Sequence, residues 1–256
     1  MNYSNSWKQF WDDYDFEHGP EPWRPEPGSE IEKLREQELL RFIDPRHHET
    51  IFDAGCGTGR NILLLSPRTK QIVGMDYSQG AIDGCQRRIA ANQLKNAKAV
   101  QGSITYVPLP SQSVDKVLCM SVLQYIDDTE VIRALTEFKR ILCDGGVIVL
   151  HVKNLSSLYL SSLWALKRIK LLLRKKTKLE YYRSFRWYVR VLKASGFEVV
   201  DYNSFSLLMF DIMPRRLISF LEKLELQNCN RWFLRLGCLR RHGAELKIKA
   251  RLERRD

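Results

Sequence analysis

In the stretch IFDAGCGTGRN, Ile51 to Asn61, glycines stand at Gly55, Gly57 and Gly59, where an apolar run gives way to a helical pattern. Glycine costs backbone entropy and packs nothing, so this spacing predicts a loop that something approaches closely. Asp53 precedes the loop, and Asp76 closes the next apolar run, QIVGMD. The N–H groups of such a loop can face a ligand with no Cβ in the way. An acid at the end of the following strand can accept hydrogen bonds from both hydroxyls of a ribose, or instead cap the next helix. The glycine spacing is GxGxG rather than GxGxxG, and Asp53 suits a cationic ligand better than a pyrophosphate. A sulfonium nucleoside carrying an amino acid fits these residues.

Further along, Tyr125, Asp127 and His151 stand near predicted strand ends, where each could take a proton from an acceptor. His151 reads as a pocket residue or a structural histidine. Trp7, Trp11, Tyr14 and Trp23 crowd the first 29 residues. Aromatic faces attract cations, so this segment reads as a lid over a ligand or as a cap on an apolar sheet edge. His18, His47, His48 and His242 form no metal spacing. The six cysteines show no CxxC pattern, and most sit in apolar strings as small core residues. A reducing compartment and no structural metal are expected.

The elements that must position these groups alternate. TIFDAG, QIVGMD, AKAVQG, VDKVLCMSV and GVIVLHV read as strands, with helices at RNILLLS, QGAIDGCQRRIAANQ and DTEVIRALTEFKRIL. Strands separated by helices imply parallel pairing through right-handed crossovers. SEIEKLREQELLRFI reads as an amphipathic helix with Ser29 and Glu32 as a capping box. Beyond Lys153, WYVRVLKASGF reads as a helix, EVVDYNSF as a strand, and ELKIKARL as a last strand with polar–apolar alternation. The fold class is thus α/β. One domain spans 1–256: an N-terminal lid at 1–29, a ligand-binding core at 30–153, a basic insertion at 154–184, and the rest of the sheet at 185–256 with a helical insertion at 207–243.

With these motifs in order, the chain resembles the class I S-adenosylmethionine-dependent methyltransferases, in the broad small-molecule subgroup that includes UbiE-like proteins. DAGCGTG is similar to motif I of that family and VGMDYS to its ribose-binding motif. VQGSITYVPLPSQSVDKVLCMSVLQYI is similar to the family's GDxxxLPFxxxxFDxVxxxxxLHH segment, and FKRILCDGGVIVLHV to its LKPGG motif. The resemblance implies a seven-stranded Rossmann-like sheet, mostly parallel with the last strand antiparallel, and helices on both faces. It implies S-adenosyl-L-methionine as cofactor, S-adenosyl-L-homocysteine as product, and no metal. Gly55, Gly57 and Gly59 would flank the methionine moiety, with Asp53 near its ammonium group. Asp76 would hold the ribose, Tyr77 would pack beside the adenine, and Ser103 and Ile104 would meet the adenine edge. Met120 and Ser121 would stand at the end of the fourth strand, beside the transferring methyl group. The family usually has Asp where Ser103 stands and a His-His pair where Gln124 and Tyr125 stand. Trp11, Tyr14, Trp23 and Gln124 are the expected lid and substrate residues, and Tyr125 and His151 the expected catalytic candidates.

Charge is divided unevenly. Residues 1–150 carry 17 Lys+Arg and 21 Asp+Glu, a net of −4, and residues 151–256 carry 24 and 9, a net of +15. From Asn154 to Leu179 there is no acid but seven basic residues, interleaved with leucines and Trp164. An apolar face, a basic face and a boundary Trp suit a helix in an anionic membrane interface, shaping entry for a hydrophobic or lipid-linked acceptor. An RNA partner, with Tyr181, Tyr182 and Trp187 stacking on bases, is the second reading. Helices packing on each other or across a dimer interface with a solvated basic face, which leaves a methyltransferase acting on a soluble small molecule, is the third, and a binding subunit without turnover the fourth. The N-terminus lacks the features of a signal peptide, and no run reaches the roughly 18 apolar residues of a spanning helix, so a cytoplasmic location, peripheral to a membrane at most, is expected.

Overall fold

The computed structural model describes residues 3–14, 30–157, 161, 180–205 and 242–253. Trp23, Ser29 and most of the two basic insertions lie outside the described residues. The described chain opens with α1 (Tyr3–Asp12) and α2 (Glu30–Ile43). β1 (Thr50–Ala54), α3 (Arg60–Leu65), β2 (Gln71–Asp76), α4 (Gln79–Ala91) and β3 (Ala97–Gln101) follow, then β4 (Val114–Met120), α5 (Asp128–Ile141) and β5 (Leu142–Lys153). α6 (Phe185–Ala194), β6 (Phe197–Phe205) and β7 (Glu245–Leu252) complete it.

The strands form one seven-stranded sheet in the order β3-β2-β1-β4-β5-β7-β6. β1 pairs in parallel with β2 on one side and β4 on the other, so strand order reverses at β1. β7 runs antiparallel to both β5 and β6. The apolar character of β1, β2, β4 and β5 follows from burial on both faces. Phe52 and Ala54 join α5 and α6 residues such as Phe138, Leu135 and Leu192 in one core, while Ile51 meets Phe42, Ile62 and Ile82 of α2, α3 and α4 in the other. A side chain of this size contributes about 1.5–3 kcal/mol when fully buried.

The capping chemistry places two of the sequence candidates. Ser78, not Asp76, caps α4, its side chain accepting from the Ala81 N–H at 3.3 Å. Asp127 caps α5, accepting from the Glu130 N–H at 2.9 Å in a capping box with Glu130. Asp127 is therefore held as a helix cap and not as a base.

β7 departs from what its alternation suggests. That pattern predicts a half-exposed strand, but insertion between β5 and β6 buries nearly all of it, including Glu245 and Lys247. Two charged side chains far along the sequence are thereby brought beside the ends of β4 and β5.

Candidate functional site

The C-terminal ends of β1 to β5 converge on one cavity of about 350 Å³, the position where open α/β sheets hold ligands. Gly55, Cys56 and Gly57 line it from the loop after β1, Asp76 and Tyr77 from β2, and Ser103 and Ile104 from β3. Met120 and Ser121 come from β4, and His151 from β5. α1 supplies Trp7 and Trp11, α2 supplies Arg35, Glu36 and Leu39, and β7 supplies Glu245 and Lys247.

The glycine loop departs from the expectation that its N–H groups face a ligand. Gly55 N–H and Cys56 N–H both donate to Met75 O, at 2.7 and 3.0 Å. Gly57 N–H donates to Asp76 Oδ2 at 2.9 Å, and Gly59 N–H to Cys56 O at 3.0 Å. These donors are used to build the loop, which rules them out as a ready cradle for a pyrophosphate. The glycines serve geometry instead. Gly55 has φ +78°, and a Cβ there would lie 2.2 Å from Val122 Cγ2. Gly59 lies off the cavity, and a Cβ on it would meet Cys85 Sγ at 2.4 Å.

Asp76 ties the loop to the next turn, since its other oxygen accepts from Ser78 N–H at 3.0 Å. Burial raises its pKa, opposed by these backbone bonds. Asp53 sits beneath the loop, off the cavity wall and fully buried, with Asn61 as its neighbouring polar side chain and no hydrogen bond of full geometry. Burial pushes its pKa to about 7; nearby Asn61 lowers it and the charge of Asp76 raises it. A buried acid whose ionisation burial opposes would be favoured in its charged form by a nearby cation. The residues lining the cavity fit S-adenosylmethionine in kind: Asp76 is an acid suited to a ribose, and Tyr77, Ser103 and Ile104 form a wall open to an adenine, while Asp53 stands behind the loop and out of the cavity. Ser103 Oγ accepts from Thr105 N–H at 3.3 Å and shares a hydrogen bond with the Thr105 hydroxyl at 2.8 Å. Cys56 lines the cavity, but a hydrogen bond with Cys85 and burial hold its thiol above its usual range, so it is no nucleophile.

At the opposite end the wall is aromatic and apolar. The ring of Tyr125 lies 4.8 Å from Trp7 and 5.5 Å from Trp11. Tyr14 packs behind them against Phe10 and Trp11, and is not among the cavity residues. Gln124 also lies off the cavity: it is buried with Oε1 unpaired, and its backbone O accepts from Tyr181 N–H at 2.7 Å. Burial, with the charge of Glu180, raises the Tyr125 pKa further above its ordinary value, so its phenol stays protonated and can donate but not serve as a base.

His151 is differently placed. Its Nδ1 lies 2.8 Å from Ser121 Oγ and its Nε2 lies 3.2 Å from Glu245 Oε2. Burial lowers its pKa, and the charge of Glu245 works against that. Ser121 has φ +60°, a left-handed conformation costing a residue with a Cβ about 1–2 kcal/mol. Burial alone would raise the pKa of Glu245, but Lys153 at 2.9 Å, His151 and Arg35 at 3.8 Å hold it well below the usual carboxylate range. Ser121 stands with Met120 at the end of β4, as the resemblance implies, whereas the roles of Glu245, Arg35 and Lys247 have no sequence motif. Only the strand pairing of His151 with Lys247, and of Met120 with His151, brings them together.

Residues 51–146 match the family model described as a methyltransferase domain. Over these residues the chain is similar to methyltransferase domains, and the sheet order and the loop after β1 agree with that match. A malonyl-[acyl-carrier protein] O-methyltransferase of Serratia marcescens is 32% identical over 122 residues, 48% of this chain and 45% of that protein. The ubiquinone/menaquinone biosynthesis C-methyltransferase UbiE of Campylobacter jejuni is 27% identical over 61% of this chain and 73% of its own. The chain spans about half or less of the length of the first curated relatives it matches. Among solved structures, geranyl diphosphate C-methyltransferase of Streptomyces coelicolor superposes with TM-score 0.65 over 98% of both chains at 17% identity, which speaks for the fold.

Proposed function

We propose that this chain transfers a methyl group from S-adenosylmethionine to a small-molecule acceptor with a substantial apolar body. The observation that carries this reading is the continuity of one cavity. It runs from Gly55, Gly57 and Asp76 to the wall formed by Trp7, Trp11, Leu39, Tyr125 and Ile126. The names of relatives acting on an acyl-carrier protein, a quinone and geranyl diphosphate support an acceptor with an acyl or isoprenoid part.

When bound, S-adenosylmethionine supplies a methyl group already activated on a positively charged sulfur. What is left for the protein is alignment and exclusion of water. Asp76 draws the ribose end into register, and Met120 bounds the space beside the reacting centre. Trp7, Trp11 and Tyr125 hold the acceptor's apolar body and keep water out. Such fixation can supply about 7–11 kcal/mol of a bimolecular barrier.

Entry from an anionic membrane surface is the finer part of this proposal. It is supported by the basic, leucine-rich pattern of 154–184 and 207–243. No helix among the described residues is long and apolar enough to cross a membrane. RNA methylation and cofactor binding without turnover are the competing readings.

The test has two parts. Calorimetry with S-adenosylhomocysteine is expected to show one-to-one binding, and its failure would remove the cofactor assignment. Radiolabelled methyl groups from the cofactor are then followed into a lipid extract, an aqueous metabolite extract and total RNA. Label in the lipid extract, with flotation on anionic vesicles, supports the full proposal. Label only in RNA replaces it.

A further inference from the structure

We propose that Ser121, His151 and Glu245 form a proton relay on the acceptor side of the cavity, and that the methylated atom is the oxygen of an alcohol or phenol. The inference rests on the methyltransferase reading above and adds the acceptor chemistry to it.

The geometry is that of a hydroxyl, an imidazole and a carboxylate in series. Ser121 Oγ to His151 Nδ1 is 2.8 Å, and His151 Nε2 to Glu245 Oε2 is 3.2 Å. All three side chains line the cavity. The backbone is clamped as well, because Ser121 N–H donates to His151 O at 2.8 Å. Ser121 keeps a side chain at φ +60°, where glycine would be relaxed. A strained residue held at a ligand site invites a functional reading. Here the strain aims its hydroxyl at an imidazole.

Glu245 sets the direction of the relay. Lys153 and Arg35 flank it, and Lys247 of the same strand also faces the histidine. These cations keep Glu245 ionised, so it accepts from Nε2–H and leaves Nδ1 without a proton. Nδ1 then accepts from the hydroxyl of Ser121, a residue of the cavity wall. An acceptor hydroxyl in the cavity donates to Ser121 Oγ.

The step balances as follows. The acceptor O–H bond breaks and its proton goes to Ser121 Oγ, while the Ser121 proton passes to His151 Nδ1. The acceptor oxygen's electron pair forms the bond to the methyl carbon, and the carbon–sulfur pair stays on the sulfur of the methylsulfonium donor. The resulting imidazolium faces Glu245. A carboxylate acceptor arrives already ionised and needs no relay, and a neutral amine attacks with a free pair and sheds its proton afterwards. Of these three acceptors only the hydroxyl depends on losing its proton during transfer.

Ser121 and His151 are the catalytic residues of this scheme, and Glu245 is a positioning residue. Calorimetry with S-adenosylhomocysteine comes first, because no binding to the wild-type chain would end the methyltransferase reading itself. Nitrogen NMR of the histidine-labelled chain with S-adenosylhomocysteine then reads the tautomer, with H151Q identifying the signals. The expected result is an Nε2–H tautomer that titrates below 6.5, and lower still in E245Q. An Nδ1–H tautomer, or a titration unmoved by E245Q, overturns the relay. With octylphenol, octylamine and octanoate as acceptors, octylphenol is expected to be methylated and the other two not. S121G relieves the backbone strain, so it is expected to match or exceed wild-type thermal stability. It should nevertheless lower kcat on octylphenol about a hundredfold with little change in KM. Wild-type kcat in S121G, or preferred transfer to octylamine or octanoate, overturns the proposal.

Discussion

Gly55 and Val122 are pressed together so closely that a Cβ on Gly55 would sit 2.2 Å from Val122 Cγ2. The loop after β1 and the loop after β4 thus meet without room for one more carbon. Gly55→Ala adds that clash to a positive φ, and is expected to cost about 2–3 kcal/mol of stability. Val122→Ala makes room for the added methyl group. The double variant is therefore expected to be less destabilised than the sum of the two single changes, as measured by denaturant unfolding. Strict additivity would show that the two loops are not in contact.

Asp76 holds Gly57 N–H and Ser78 N–H through its two oxygens. Asp76→Ala removes the anchor of the loop together with the ribose acceptor. The affinity for S-adenosylhomocysteine is expected to fall by about 2 kcal/mol, roughly thirtyfold, since hydrogen bonds to a charged group are among the stronger ones. Unchanged affinity in the calorimeter would take Asp76 out of the site.

Asp53 and the His151–Glu245 pair predict opposite responses to pH. Burial raises the Asp53 pKa to about 7 from 3.8, so the folded chain holds a proton that the unfolded chain has lost. Stability from this group is present at low pH and declines as pH rises from about 4 to 7. The pKa of His151 is lowered from 6.5, and that of Glu245 well below 4.5. Their contributions are present above those unfolded values and are lost as pH falls through the folded ones. Asp53→Asn, without cofactor, is accordingly expected to melt higher than wild type at about pH 8 and nearly level with it at about pH 4. A constant difference across pH would mean that Asp53 does not titrate in the folded chain.

Arg183 is almost fully buried and donates to Leu123 O at 2.7 Å and Ile126 O at 2.8 Å, while its Nε donates to Asp128 Oδ1 at 2.7 Å. Its guanidinium also lies over Trp187 at 4.7 Å. It therefore fastens the segment before α6 onto the turn that carries Tyr125. Arg183→Met keeps the volume but strips those carbonyls of donors, at a cost of about 2–3 kcal/mol. Turnover should fall more than cofactor binding, because the change lies on the acceptor side. Equal loss of both would argue for general unfolding instead.

Much of this site was legible in the sequence because its signals are local. The glycine spacing, Asp53, Asp76 and the alternation of strands and helices all lie within a stretch governed by short-range geometry. The direction of the loop's N–H groups was not legible, since Met75 O and Asp76 claim them only once β2 pairs with β1. Glu245 was hidden for a different reason: 94 positions separate it from His151. Its strand reads as an ordinary alternating edge until the sheet order seats it between two neighbours. Gln124 was misplaced because the resemblance fixes a position along the chain, whereas the Leu123–Tyr125 turn decides which side chain faces inward.

The seating of β7 also sets an order of assembly. Among the described strands β6 pairs only with β7, and β7 bridges it to β5. β1 to β5 can close the nucleotide end of the cavity as soon as they emerge in synthesis. Glu245 and Lys247 come later in the chain, and bringing Glu245 to Lys153, 92 positions away, is opposed by chain entropy. A nascent chain would thus grip the donor before it had the means to use it, and the chemistry would switch on only when the sheet is stitched shut.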